Sequence, residues 1–187
     1  MVLPIYAYGQ RVLKKEALPV DETFENLSEL ISDMWETMYY AKGIGIAAPQ
    51  IGKSIRIFLI DTIQYKEEDP SIDGIKKAFI NAEIIEEFGE ENSFEEGCLS
   101  IPDVRGDVTR LSSIKIKYYD ESFNEFEEVY HGMNARVIQH EYDHIEGILF
   151  TEYLQPLKKR MIKRKLEAIK NGKVKVDYRM RFTQPKK

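Results

Sequence analysis

Apolar residues recur at helical spacing in two parts of the chain that are otherwise polar. In residues 21–41, leucine, isoleucine and methionine stand three or four positions apart, so Asp21 is expected to cap a helix that ends near residue 41. A second helix is expected over about 134–146, with Asn134 as its cap and Gly147 just past its end.

Strands are indicated where polar and apolar residues alternate. Residues 54–61 alternate as a half-buried strand does. Further strand-like runs lie at 78–86, 107–111, 113–119 and 125–130, with a turn at 121–124 between the last two. Residues 64–77 are polar and contain Asp-Pro and Asp-Gly pairs, which predicts a surface loop. Neighbouring strands with helices at both ends predict an α+β fold rather than alternating β-α-β units.

The last fifth of the chain is strongly basic. A third helix is expected over about 156–171, with an apolar stripe formed by Leu157, Met161, Ile162, Leu166 and Ile169. Residues 155–187 hold thirteen lysines and arginines against two acidic residues, whereas residues 1–154 hold 14 against 30. This basic segment favours contact with a polyanion such as RNA. A solvated helix face followed by a frayed terminus explains the same charges, and both alternatives stay open.

Composition excludes several classes of protein. With 187 residues, 43% hydrophobic and 32% charged, the chain is expected to form one globular domain over 1–187. Its apolar runs are too short to span a membrane, and its N-terminus lacks the pattern of a secretion signal. The single cysteine, Cys98, excludes an internal disulfide and favours a reducing cytoplasm.

Two of the three histidines lie in segment 140–144, which has the sequence H-E-Y-D-H. On a helix, residues four apart lie one turn above each other, so the imidazoles of His140 and His144 face the same way and can hold one metal ion. Glu141 stands beside the first of them, where a carboxylate can act as general base towards a metal-bound water. A surface helix with incidental histidines is the alternative.

A catalytic metal site needs a third protein ligand and a fourth position open to water. Phe150 stands where one class of peptidases with this motif places a third histidine, and His131 is better explained as the end of a strand. Glu167 has the spacing that another class uses, but it lies among lysines and arginines. Cys98 remains, in segment 95–102, where glycine and proline predict an exposed backbone between strands. A lone thiol is more often a small buried apolar residue, yet with two imidazoles its thiolate suits Zn²⁺, Fe²⁺ or Co²⁺.

A glycine-rich segment, 43–50, has the sequence G-I-G-I-A-A-P-Q. It matches a dinucleotide-binding pattern only formally, because it follows a helix and leads into a strand, whereas phosphate-binding loops do the reverse. Its small residues allow another chain to approach closely, and the amide of Gln50 can donate to an oxyanion. A plain helix-to-strand turn is the alternative.

These three segments together resemble the motifs of the peptide deformylases, which are G-x-G-x-A-A-x-Q, E-G-C-L-S and Q-H-E-x-D-H in that order. The chain has all three without a mismatch, at 43–50, 96–100 and 139–144. Each motif is moderately specific, and the ordered set is very specific. The resemblance spans about 1–155; the chain departs from it in the acidic loop at 64–77 and in the basic C-terminal segment.

The resemblance implies a metal-dependent hydrolase that removes the formyl group from the N-formylmethionine of new bacterial or organellar polypeptides and releases formate. It implies that Cys98, His140 and His144 bind one divalent ion, usually Fe²⁺ in this family, with Zn²⁺, Ni²⁺ or Co²⁺ as substitutes. No arginine- and serine-rich presequence is present, so the bacterial cytoplasm is the expected location. The implied fold is α+β, with antiparallel or mixed sheets packed around the metal-binding H-E-x-x-H helix and a C-terminal amphipathic helix.

Catalytic roles follow from the same resemblance, position by position. Glu141 would take a proton from the metal-bound water, which attacks the formyl carbon, and would later deliver one to the leaving amine. The metal, the Gln50 amide and the Leu99 N–H would hold the oxyanion, and Gly45 would line the site.

Substrate contacts and a supporting ion pair are also implied. The residues expected to bind the substrate and to wall an apolar pocket for its methionine side chain are Gly43, Ile44, Met133 and Val137. Glu96 is expected to pair with Arg110 and so to hold the loop that bears Cys98.

Two other functions compete with deformylation. A zinc endopeptidase would share the histidine helix but use Glu167 as its third ligand. A ribosome- or RNA-binding protein would keep the metal site for structure alone. The basic segment favours binding, whereas Glu141 and an open fourth position favour turnover. We therefore expect an enzyme that meets N-formylmethionyl nascent chains at the ribosome through its basic C-terminal segment, and no membrane partner.

Overall fold

Two sheets and three helices form the fold of the residues that the structure describes. The computed structural model describes residues 1–67, 70 and 72–183. The strands are β1 (Ile5–Tyr6), β2 (Gly45–Ala47), β3 (Ile57–Asp61), β4 (Lys76–Cys98), β5 (Ile101–Tyr119), β6 (Glu125–His131) and β7 (Met180–Arg181). Five of them form an antiparallel sheet in the order β2-β3-β4-β5-β6, and β1 and β7 form a parallel pair. The α+β prediction with antiparallel and mixed sheets is confirmed.

Strand β3 is buried on both faces, so the prediction of a half-buried strand at 54–61 is wrong about burial. The predicted strand also begins three residues too early. Phe58 and Ile60 belong to the apolar cluster that also contains residues of the second helix. Ile57 and Leu59 belong to a second cluster on the other face, with residues of the first helix. A strand between two apolar layers needs no polar face, which explains the continuous apolar run.

A long hairpin, β4 and β5, dominates the larger sheet. The strands predicted at 78–86, 107–111 and 113–119 are confirmed as strands but are too short, because β4 continues to Cys98 and β5 runs from Ile101 to Tyr119 without a break. Most side chains of residues 85–95 are exposed, and register shifts interrupt the ladder, so the sequence alternates poorly there. Backbone pairing with β5, rather than burial, makes this segment a strand. The turn predicted at 121–124 is confirmed between β5 and β6.

Helix α1 spans Leu27–Tyr40, so the prediction of a helix capped by Asp21 is wrong at its start. The Asp21 carboxylate instead accepts a hydrogen bond from the Thr23 N–H, at 2.9 Å, in a local turn. Asn26 precedes the helix in the left-handed conformation, with φ of 59°, which prevents a continuous helix through this point.

Helix α2 spans Gly132–Ile145 and lies against β2, β3, β5 and β6. The prediction that Asn134 caps this helix is wrong, because the helix begins two residues earlier and His131 is at its N-cap. The amide of Asn134 donates to the carbonyl of Asp73, at 2.7 Å. Gly147 follows the helix with φ of +74°, as predicted, in a conformation that favours glycine.

Helix α3 spans Pro156–Lys170, in agreement with the predicted range. Its apolar stripe is only partly buried: Ile162 and Ile169 are buried, whereas Leu157 and Met161 are about 70% exposed.

The predicted surface loop at 64–77 overlaps a short 3₁₀ helix, Ile63–Glu67, and ends at β4. Positions 68, 69 and 71 of this loop lie outside the described residues. None of the helices in the described part of the chain has the length and apolar character of a membrane span.

Candidate active site

Helix α2 and the end of β4 bring three metal-compatible side chains together. The rings of His140 and His144 lie one helical turn apart, with centroids separated by 5.2 Å. The sulfur of Cys98 is 3.3 Å from Nε2 of His144. One ligand atom from each residue lies within 4.8 Å of the other two. The spacing along the helix and the approach of β4 therefore give three donors around one point.

Cys98 occupies the last position of β4, where it pairs with Ile101 across a two-residue turn. The prediction that segment 95–102 lies between strands with an exposed backbone is wrong, because the hairpin extends to this point. Ser100 and Ile101 are fully buried, and Cys98 is partly buried. A tight turn between two buried strand ends holds the thiol in one place more firmly than a loop would.

Two buried polar atoms at this point have no hydrogen-bond partner in the described part of the chain. They are Oε2 of Glu141 and Nδ1 of His144. An unpaired buried carboxylate oxygen is costly, and such atoms point to an absent water, ion or substrate group. The donor set, a thiol with two imidazoles, is also one that Fe²⁺, Zn²⁺ and Co²⁺ accept. The residues present therefore fit a divalent metal ion.

A buried group of charges supports the ring of His140. Arg110 donates to both carboxylate oxygens of Glu96, at 2.7 and 3.0 Å, which confirms the predicted pair. Nδ1 of His140 lies 2.8 Å from the same carboxylate. This contact fixes the ring with Nδ1 as donor and leaves the Nε2 lone pair free for an ion.

The same group contains two residues that the sequence analysis did not identify. Arg136 donates to Glu96 at 3.0 Å, and Arg110 also donates to Asp143 at 2.8 Å. Arg136 precedes His140 by four residues and Asp143 follows it by three, so helical spacing alone would have placed both on the side of α2 that bears the histidines.

Burial and neighbouring charges shift the pKa values of Glu96 and Glu141 in opposite directions. Burial by itself raises the pKa of Glu96, but hydrogen bonds from His140 and Arg110 outweigh it and hold that pKa well below its ordinary value. Burial raises the pKa of Glu141 to about 7, and no hydrogen bond opposes that effect. Glu96 is thus a permanent anion, whereas Glu141 can exchange a proton near neutral pH.

Replacing Arg110 by alanine is expected to destabilise the protein by about 3–5 kcal/mol, because it leaves the Glu96 carboxylate buried with one arginine fewer. It should also lower metal affinity roughly 10–100-fold through the loosened His140 ring. Thermal unfolding and metal analysis measure the two effects. Lys115→Ala, which removes an exposed pair from the same strand, is the control and should change neither. Unchanged metal content in Arg110→Ala would disprove the supporting role.

Two glycines of segment 43–50 leave room for the groups beside the thiol. A side-chain carbon on Gly45 would lie only 2.8 Å from Cδ of Glu141 and closer still to one of its oxygens. A carbon on Gly43 would lie 2.8 Å from Cδ1 of Leu99. Both contacts are shorter than non-bonded atoms allow, so a side chain at either glycine would displace the end of the Leu99 or Glu141 side chain.

Gly45→Ala should therefore displace the Glu141 carboxylate and lower kcat by about 10²-fold, since a shift of about 1 Å in a reacting group has that cost. The three atoms nearest to the new methyl group all belong to Glu141, which is not one of the metal donors, so metal content should stay at the wild-type level. Steady-state kinetics with metal analysis tests this. A variant with wild-type kcat would show that Glu141 tolerates the shift.

The side chain of Gln50 lies beside the thiol. Its Nε2 is 3.4 Å from the Cys98 sulfur and 3.3 Å from Oγ of Ser100, while its Oε1 accepts from the Ala47 N–H at 2.8 Å. That last bond fixes the orientation of the amide, with the NH₂ group towards the site. The residue is buried at the edge of a cavity, where an NH₂ donor can meet an oxyanion.

A cavity of about 830 Å³ opens above these groups. Every predicted site residue except His144 lines it: Gly43, Ile44, Gly45, Gln50, Cys98, Leu99, Met133, Val137, His140 and Glu141. His144 lies behind this surface and is 1% exposed. Residues that sequence reasoning missed also line it, among them Phe94, Arg105 and Tyr178.

The other candidate ligands lie elsewhere. Glu167 is exposed on α3 and is not one of the three grouped donors found among the described residues. His131 ends β6, as expected, with Nδ1 2.8 Å from Oγ of Ser113. A thiol and two imidazoles around one point suit a divalent ion, and a buried carboxylate beside them is what hydrolases that work through such an ion use as general base.

Proteins that are similar to this chain belong to this class of hydrolase. The family model for polypeptide deformylase matches residues 2–160. Peptide deformylases of Christiangramia forsetii and Flavobacterium psychrophilum are each 53% identical over the whole of this chain, covering 99% and 100% of their own lengths. A crystal structure of a peptide deformylase from Legionella pneumophila aligns with a TM-score of 0.80 and 39% identity, over 92% of this chain and 98% of its own. The chain belongs to the polypeptide deformylase family.

Membership establishes the activity in general terms. Peptide deformylases are enzymes that remove the N-terminal formyl group from nascent peptides, and the resemblance found in the three sequence motifs is confirmed.

Proposed function

We propose that this enzyme removes the formyl group from N-formylmethionyl peptides with one divalent metal ion held by Cys98, His140 and His144. The observation that carries the proposal is the grouping of these three donors within 4.8 Å, beside the buried carboxylate of Glu141. Among the ions that suit one thiolate and two imidazoles, we favour Fe²⁺, with Zn²⁺, Ni²⁺ or Co²⁺ as substitutes. When bound, such an ion acts as a Lewis acid and makes water a nucleophile at neutral pH.

Glu141 moves the proton in this proposal. It is placed one residue after His140 and is only 4% exposed, with one carboxylate oxygen unpaired. We propose that it accepts a proton from the attacking water and delivers one to the amine that leaves. The elevated pKa suits both steps, because the group can be charged in one and protonated in the next.

Gln50 and Leu99 hold the oxyanion that forms on the formyl oxygen. The Gln50 amide reaches the site with its NH₂ group, and Leu99 adds its backbone N–H from the turn after Cys98. Gly45 takes part by leaving space for Glu141.

The methionine side chain of the substrate needs an apolar pocket. Ile44 and Met133 pack against an apolar cluster that includes Val137, and all three border the cavity together with Gly43. We propose that these four residues bind the formylmethionyl end of the substrate.

Purification without oxygen, followed by metal analysis and an assay of formate release from formyl-Met-Ala-Ser, tests the proposal. Oxygen is excluded because a thiolate on an iron ion is prone to oxidation. We expect one bound ion per chain, formate release that a chelator abolishes, and no hydrolysis of acetyl-Met-Ala-Ser. Metal-free protein with full activity, or cleavage of internal peptide bonds, would contradict it.

We further propose that the enzyme works in the bacterial cytoplasm and meets its substrate at the ribosome through the exposed basic face of α3. Nascent chains are the substrate, and a single cysteine suits a reducing compartment. Lysines and arginines crowd the outer face of that helix, with few acidic neighbours. We also propose that residues 1–187 form one domain, since β1 near the start of the chain pairs with β7 at Met180–Arg181.

Replacing Arg160, Lys163 and Arg164 by glutamine is expected to weaken ribosome binding and reduce its salt dependence, because three phosphate contacts are lost. Formate release from a free peptide should not change, since these side chains are exposed on the outer face of α3. Cosedimentation with ribosomes over a range of salt concentrations measures the effect. If the variant bound ribosomes as tightly as the wild-type enzyme, α3 would not take part in the interaction.

A further inference from the structure

The segment that follows α3 is attached to the protein rather than frayed. Residues 173–182, named here the C-terminal extension, alternate charged exposed side chains with apolar half-buried ones. The half-buried side chains are Val174, Val176, Tyr178, Met180 and Phe182. Strand β7 lies within the extension, and the N–H groups of Ile5 and Ala7 donate to the carbonyls of Arg179 and Arg181.

This extension forms one wall of the active-site cavity. Lys175, Val176, Asp177 and Tyr178 all border it, as do residues of α2. The family model ends at residue 160, so this wall lies beyond the part of the chain that the family model matches.

Tyr178 makes a direct contact with the turn that carries the thiol. Its hydroxyl donates to the backbone carbonyl of Leu99, at 2.8 Å. Leu99 and Ser100 are the two residues of the turn between Cys98 and Ile101. The hydroxyl of Tyr178 therefore holds the residue whose N–H we assign to the oxyanion.

The neighbouring position of the turn is held in a similar way. The carbonyl of Ser100 accepts from the Tyr8 N–H at 2.8 Å, and its hydroxyl oxygen accepts from Gln50 at 3.3 Å. The Leu99 N–H belongs to the peptide plane that follows Cys98, and the Leu99 carbonyl belongs to the next plane. The pairing of Cys98 with Ile101 holds the first plane, and Tyr178 holds the second. With both planes held, the turn cannot rotate about Leu99 and carry its N–H away from the cavity.

We propose that Tyr178 is a positioning residue for deformylation, which acts by holding the Leu99 carbonyl so that the Leu99 N–H faces the developing oxyanion. The inference rests on the proposed role of Leu99 in the reaction. An interaction that is made only as charge develops affects kcat and not substrate binding.

Tyr178→Phe tests this, because it removes the hydroxyl and keeps the ring. Losing an oxyanion donor outright costs about 10²–10³ in kcat, so its misalignment should cost less, about tenfold. We expect KM to stay within about twofold, with unchanged metal content and melting temperature. Hydrogen exchange at the Leu99 amide should be faster.

Tyr6→Phe is the matched control. Its hydroxyl accepts from Arg181 at 3.0 Å, so it also joins the extension to the body, but it does not border the cavity. We expect wild-type kcat and wild-type exchange at Leu99 from this variant.

Three results would overturn the inference: a kcat for Tyr178→Phe equal to that of Tyr6→Phe, a raised KM with unchanged kcat, or loss of the metal ion. Each is distinct from failure of the proposed function, which would appear in the wild-type enzyme as metal-free turnover or absent formate release.

Discussion

Replacing Glu141 by glutamine is expected to lower kcat by about 10²-fold or more while the metal ion stays bound. The substitution keeps the shape of the side chain but removes its ability to accept a proton. Glu141 is not among the three grouped donors, so metal content should not fall. Formate release and metal analysis on the same preparation measure both quantities.

Glu146→Gln is the control for this experiment. Glu146 follows the same helix and pairs with Arg56 at 2.6 Å, outside the residues that border the cavity. We expect wild-type kcat from it. A near-normal rate in Glu141→Gln would reject proton transfer by this carboxylate, whatever the metal content.

Replacing Cys98 by alanine is expected to weaken metal binding by well over about 100-fold and to abolish formate release. Loss of a residue that merely orients a ligand costs roughly 10–100-fold, and loss of the ligand itself must cost more. The thiolate also supplies the one negative charge among the three donors, so its removal leaves two neutral imidazoles to hold a dication. Equilibrium dialysis against a competing chelator measures the affinity.

Two control variants accompany Cys98→Ala. His131→Ala removes the third histidine, which ends β6 away from the grouped donors, and should leave metal content unchanged. Glu167→Gln removes the ligand that a zinc endopeptidase would use and should also have no effect. If Cys98→Ala kept all its metal and Glu167→Gln lost it, the third metal ligand would be Glu167 instead of Cys98, and the zinc endopeptidase would be favoured.

Helix α2 and its pair of histidines could be predicted from the sequence, because residues four apart on a helix are neighbours whatever the rest of the chain does. The spacing of His140 and His144 places both rings on one side of a helix, and the structure shows them 5.2 Å apart. The pair of Glu96 and Arg110 was also predicted, although only through the family resemblance.

Local patterns failed where a contact distant in sequence determines the backbone. The second half of β4 carries mostly exposed side chains and is a strand because it pairs with β5. The side-chain pattern of that segment contains no record of the pairing. A local feature misled the prediction for α1: Asp21 has the residue type of a helix cap, yet Asn26 in the left-handed conformation delays the helix to Leu27.

Among the site residues that sequence analysis missed, Arg136 and Tyr178 were missed for different reasons. Arg136 could have been found, because it stands one helical turn before His140 and is the partner that a buried Glu96 needs. Tyr178 could have been suspected from the alternation of charged and apolar residues in 173–182, which predicts an extended segment. Its contact with Leu99, 79 positions away, could not.

The sequence by itself determined which chemical groups this protein has and which of them share a helix face, since helical geometry relates residues three or four apart without reference to the rest of the chain. The tertiary structure alone decided that the sulfur of Cys98 reaches those imidazoles, that Arg136 joins Arg110 around one carboxylate, and that the C-terminal extension forms one wall of the cavity. Those contacts depend on how the β4–β5 hairpin ends against α2 and on the pairing of β1 with β7, which are determined by the packing of the whole chain.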